Sequence, residues 1–160
     1  MRKLLLMIAT LLVTLSCSQQ DTGPVEVKWD RDGCERCRMV LSDRYHAAQV
    51  RSGEEGKKTK VFKFDDLGCA VIWLQDKPWK ENAEVWVNDY KTGEWLDARK
   101  SHFISGQITP MEFGLGAQAE AADDTLNFEQ TVKYILDREA RFNQPDADLK
   151  GQSNEHQHHH

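Results

Sequence analysis

No apolar run in this sequence is long enough to cross a bilayer. The longest, residues 4–13, is interrupted by Thr10 and is about half of the roughly 20 residues required. There is no excess of positive charge either. Lys and Arg total 21 against 26 Asp and Glu, a formal net charge of −5, which excludes nucleic acid as a partner. Cysteine is scarce, with four residues in all, and only one pair, Cys34 and Cys37, has CxxC spacing. A structural zinc site commonly draws on two such pairs, or on one pair with two histidines at close spacing, and neither pattern is present. Arg38 stands where covalent haem attachment requires a histidine after the second cysteine.

What is there begins with the N-terminus. Arg2 and Lys3 precede the apolar run, and Thr14, Leu15, Ser16 and Cys17 follow it. That is the order of a secretory signal: basic region, apolar region, small residue, cleavage point. A cysteine straight after Leu-Ser suggests a lipobox, with residues 1–16 removed and Cys17 acylated; an ordinary signal peptide cut near Cys17 is the alternative. Residues 17–24 are then a polar tether ending in Gly-Pro. Ser18 suits sorting to an outer membrane, so the expected location is the cell envelope, facing the periplasm. Residues 144–160 lack apolar periodicity and end in a His-rich run, either a purification tag or a native tail that collects metal weakly.

Between these ends lies an α+β pattern in two related strand–strand–helix halves, residues 25–80 and 84–143, expected to form one compact two-lobed domain. Residues 25–29 alternate and read as a strand, as do 45–50 and 60–64. Asp65 and Asp66 read as caps of a helix whose apolar face holds Leu67, Ala70, Val71 and Leu74, with Cys69 beside them. In the second half, residues 84–90, 94–98, 102–105 and 117–122 read as extended. A helix after Asp123 carries Phe128, Val132, Ile135 and Leu136 on one face. Of the five tryptophans, Trp73, Trp86 and Trp95 are expected in the core and Trp29 and Trp79 near loops.

The chemistry is concentrated at Cys34, Cys37 and Met39. Thiolate and thioether form the soft donor set that selects Cu(I). In an extended segment Cys37 and Met39 point to the same side and can meet one ion. A third ligand must come from elsewhere, and Met111, on a loop stiffened by Pro110 and turned by Gly114, is the candidate. One thiolate and two thioethers make a low-coordinate, net-neutral Cu(I) site. The rival is thiol–disulfide exchange by Cys34 and Cys37, with Arg36 and Arg38 lowering the thiol pKa values, although no thioredoxin-like βαβ unit surrounds them. A structural disulfide between the two is also open, as is a passive lipoprotein whose terminal histidines scavenge divalent metal.

Taken in order, the lipoprotein start, Cys34-x-x-Cys37-x-Met39, the run from Tyr45 to Val50, the helix start around Asp65, Asp66 and Cys69, and the Pro110-Met111 loop followed by Phe113-Gly114 resemble the NosL family. These are lipid-anchored copper chaperones associated with assembly of nitrous oxide reductase. The resemblance spans roughly residues 25–142. It implies a non-enzymatic, two-lobed α+β carrier, distantly similar in shape to part of organomercurial lyase. It implies Cu(I) held by Cys37, Met39 and Met111, with Cys34 auxiliary, and delivery to a cuproprotein such as nitrous oxide reductase or its maturation complex. The chain departs from the family's pattern at Arg38 and Glu112, where glycine is common beside the two methionines.

Overall fold

A four-stranded antiparallel sheet organises the larger part of the molecule. The computed structural model describes residues 22–53 and 58–144. The expected signal peptide, Cys17 and most of the His-rich tail lie outside those residues. Strands β1 (Ala48–Arg51), β2 (Val61–Phe64), β3 (Glu84–Asn88) and β4 (Trp95–Asp97) lie in the order β2-β1-β3-β4. Ala48 faces Phe64 on one side and Val87 on the other, so β1 is central. A second sheet pairs β5 (His102–Ser105) with β6 (Leu115–Gln118). Helix α1 (Leu67–Gln75) follows β2, and α2 (Phe128–Phe142) follows β6. The class is α+β, as expected. The two strand–strand–helix units are β1-β2-α1 and β5-β6-α2. The β3–β4 hairpin, expected in the second half, instead extends the first sheet. The bridge Asp89–Ala117 and the Tyr90 N–H donating to the Ala117 carbonyl at 2.9 Å link the sheets.

The elements form for local reasons. Asp66 is the N-cap of α1, accepting from the Gly68 N–H at 2.8 Å. The helix buries Leu67, Ala70, Val71 and Leu74 against β1, β2 and α2. Helix α2 starts at Phe128, later than the acidic residues 123–124 suggested. Asn127 and Gln130 form a reciprocal capping box there, which satisfies two otherwise unpaired N–H groups at once. Ile135 is fully buried on its inner face, with Phe128, Val132 and Leu136 half-buried around it.

Residues 25–29 are not a strand. The Gln49 side chain supplies what a neighbouring strand would: its amide donates to the Val25 carbonyl and its oxygen accepts from the Val25 N–H, both at 2.8 Å. Arg51 holds the Gly23 carbonyl at 2.7 Å in the same way. The segment thus lies across a face of β1 without pairing to an edge, and β1 is buried on both faces. Trp73 and Trp79 cluster with Phe62 and Phe64, ring centroids 4.5 to 6.2 Å apart, so Trp79 belongs to the packed aromatics and not to an open loop. Trp86, expected inside, is half-buried, and its indole donates to Glu84. Phe64 is fully buried at the centre; its side chain contributes about 2–3 kcal/mol by leaving water.

Candidate metal centre

Three pieces of backbone bring donor atoms to the point where β2 becomes α1. The first is the loop 33–40. Its ends meet through the Gly33–Val40 bridge, with the Cys34 N–H donating to the Met39 carbonyl at 2.7 Å. The Arg38 N–H donates to the Cys34 carbonyl at 3.0 Å. Arg38 takes φ +66°, a left-handed conformation that costs a side-chain-bearing residue about 1–2 kcal/mol and lets the loop turn back. The Glu35 N–H donates to the Lys63 carbonyl at 2.9 Å, which ties the loop to β2. The second piece is Asp65, at the end of β2. The third is Cys69, in the first turn of α1.

These bring Cys34, Cys37, Asp65 and Cys69 together, one donor atom from each, all within 4.8 Å of one another. Ligands around a tetrahedral ion with metal–sulfur bonds of about 2.3 Å sit roughly 3.8 Å apart, so the cluster needs only a small contraction to grip an ion. Cys34, Asp65 and Cys69 are buried, and Cys37 is half-buried at the mouth. Among the described residues all three cysteines are free thiols, so the structural disulfide is not formed.

The charges are distributed unevenly. Hydrogen bonding, chiefly from the Cys69 thiol, holds Cys34 down at about 4 against the opposing effect of burial, so it is the thiolate of the group. Cys69 is correspondingly pushed far up, by that hydrogen bond and by burial. Burial and the neighbouring Cys34 push Cys37 up to about 11. Its thiol donates to Asp65, 3.4 Å from each carboxylate oxygen. Burial and the Cys34 charge raise Asp65 to about 6. The Arg36 guanidinium points at the cluster from one side, its Nη1 3.9 Å from the Cys69 sulfur and its Nη2 2.5 Å from Glu139 on α2.

Of the residues expected from sequence, Cys34 and Cys37 are in the cluster. Met39 is half exposed, just past the turn at residues 35–37, and the left-handed Arg38 between it and Cys37 breaks the extended segment that would have aligned the two. Met111 is half-buried on the β5–β6 loop, and that loop is fastened to the neighbouring aspartate. Asp66 accepts from the Thr109 hydroxyl at 2.6 Å and from the Met111 N–H at 3.2 Å. Phe113 presses on Gly68 so closely that an added Cβ would lie 2.1 Å from its ring. Met111 and Arg36 also line one open cleft of about 440 Å³, walled by Phe113, Glu139 and Phe142. Cys69 and Asp65 were missed by the sequence reading. The two aspartates look alike there, but only Asp66 caps the helix, which leaves Asp65 free to face the thiols.

His46 stands apart from this group. Its Nδ1 lies 2.9 Å from Asp43 and its Nε2 is buried without a partner.

The model of the NosL family matches residues 24–139. Among solved structures, the chain is similar to that of the copper chaperone NosL from Shewanella denitrificans, with 17% identity and a TM-score of 0.51. The match covers 71% of this chain and 88% of that one, and at this identity it speaks for the fold alone. No curated protein matches.

Proposed function

Because this chain belongs to the NosL family, we propose that it is a lipid-anchored carrier of Cu(I) that hands its ion to a cuproprotein, nitrous oxide reductase or the complex that matures it. The observation that carries this reading is the convergence of three thiols and a carboxylate from three separate segments within 4.8 Å. Soft sulfur donors at that density favour a soft monovalent ion. Cys34, already a thiolate, makes first capture; Cys37 and Cys69 release their protons as the ion seats. Met111, on the loop locked to Asp66 and lining a cleft with Arg36, would offer a thioether. Met39, half exposed, offers another at the rim. Neutral thioethers exchange readily, so the ion has an exit that does not require a thiolate to let go first. Cys17 would carry the lipid, and the domain would face the periplasm from the outer membrane. The protein transforms nothing; it carries.

Thiol–disulfide exchange fits the geometry less well. An exchange nucleophile has to be both ionised and accessible. Cys34 is ionised and wholly buried, while Cys37 is reachable and held protonated.

The test is a Cu(I) titration of the reduced full chain against a chromophoric cuprous chelator. One tight equivalent is expected. It should survive deletion of residues 151–160, disappear in the Cys37→Ser, Cys69→Ser double variant, and weaken about tenfold in Met111→Ala and in Met39→Ala, a loss of about 1.4 kcal/mol each. Unchanged binding in all of these variants would falsify the site. Unchanged binding in the two methionine variants alone would assign the ion to the thiols and Asp65. Loading of copper-free nitrous oxide reductase by the copper form tests the recipient. Loss of the membrane-bound form in Cys17→Ser tests the anchor.

A further inference from the structure

The four donors of the cluster carry four negative charges when fully ionised. A monovalent ion leaves three of them uncompensated, a divalent ion only two. Three thiolates and a carboxylate at these separations are also an acceptable tetrahedral set for zinc. On charge and geometry alone, such a pit should take a divalent cation before a monovalent one. The softness of sulfur offsets part of that advantage, and a fixed positive charge beside the donors would offset more.

The geometry points to Arg36 as the residue that sets the preference for a monovalent ion. This inference rests on the Cu(I) reading above and deepens it. The guanidinium is permanently charged. It sits 3.9 Å from the Cys69 sulfur, so an ion bound to that sulfur feels it at close range. Coulomb repulsion scales with the ion's charge, and a divalent cation is repelled twice as strongly as a monovalent one at the same point. The N–H aimed at Cys69 also draws on that sulfur's lone pair and makes it the weakest of the three thiolate donors. Tetrahedral binding suffers from that more than the two- or three-coordinate binding that suits Cu(I). The Glu139 carboxylate, 2.5 Å from the other end of the guanidinium, fixes its place and partly cancels its charge. Both side chains are about a quarter exposed, at the rim and not in the core, so either can be changed without emptying a packed interior.

The two partners of this ion pair therefore make opposite predictions, and that is the test. Cu(I) affinity is read by chelator competition under reducing, oxygen-free conditions. Divalent affinity is read with Co(II), whose sulfur-to-cobalt absorption reports only thiolate-bound ion, so the terminal histidines do not contribute. Arg36→Gln should shift the ratio of Co(II) to Cu(I) affinity toward Co(II) by about tenfold or more. Glu139→Gln, which leaves Arg36 uncancelled, should shift it a few-fold the other way. A bridge that merely ties α2 to the loop 33–40 would be broken equally by both variants, and both ratios would then move together or stay put. Either of those results overturns the inference. If the unaltered chain takes Co(II) through sulfur but no Cu(I), the carrier reading fails, while opposite shifts in Co(II) affinity alone would still support the role of Arg36.

Discussion

Asp65 is held where burial and the Cys34 thiolate both oppose its charge, and its pKa rises from 3.8 to about 6. A carboxyl whose folded pKa lies above its unfolded value stabilises the fold most when protonated. The metal-free protein should therefore lose stability as pH climbs from about 4 to about 6 through this group, and lose no more from it above that. Asp65→Asn should abolish the slope and stabilise the metal-free form at pH 7 by roughly 2–3 kcal/mol, at about 1.4 kcal/mol per pKa unit, while weakening its grip on metal. Urea unfolding at several pH values measures both the slope and its loss. Two other residues carry strain. Arg38 and Glu112, beside the two methionines, adopt φ of +66° and +58°. Arg38→Gly and Glu112→Gly should each raise stability by about 0.5–1 kcal/mol, because glycine adopts that backbone without a Cβ clash. Thermal melts of the single variants decide it.

Helix α1 is the element on which the site turns. Its first turn supplies Cys69, its cap Asp66 holds the Met111 loop, and Gly68 gives Phe113 its seat. Gly68→Ala should push the β5–β6 loop away, costing about 1–3 kcal/mol and removing whatever Met111 adds to copper affinity. Asp66→Ala, which strands the Gly68 and Met111 N–H groups and the Thr109 hydroxyl, should cost about 2–4 kcal/mol. Much of this element was legible beforehand: the Asp-Asp start, the apolar face and the length all follow from helical periodicity. What could not be read was the division of labour between Asp65 and Asp66, since that depends on which one the chain leaves outside the helix. Nor did the apolar setting of Cys69 betray a ligand, because a buried cysteine in a helix is ordinarily packing. The strand expected at residues 25–29 had the right alternation. A side chain 24 positions along the chain, Gln49, takes its hydrogen bonds, and no local pattern announces that. The CxxC loop was legible in composition and misjudged in shape: an extended Cys37–Met39 was expected, and the left-handed Arg38 breaks it.

For the whole molecule, metal is a clasp. Cys34 and Cys37 come from the N-terminal loop, Asp65 from the end of β2 and Cys69 from the helix, so a bound ion joins segments that the metal-free chain joins by packing and a few hydrogen bonds. Loading should raise the unfolding free energy by about 4 kcal/mol when free Cu(I) is a thousandfold above its dissociation constant. Cys37 and Cys69 must shed protons to bind, so apparent affinity should climb with pH through neutrality, up to about tenfold per unit for each proton released. Competition titrations between pH 6 and about 8 measure that climb; a flat profile would mean that the ion is held by groups already ionised, such as Cys34. The Arg36–Glu139 bridge spans 103 positions of sequence, from the first loop to the final turns of the last helix. During synthesis every sulfur donor emerges long before the residue that fixes Arg36 in place. A chain still being made therefore holds all its sulfur before Arg36 is fastened, and the guanidinium takes its final seat only when the last helix arrives.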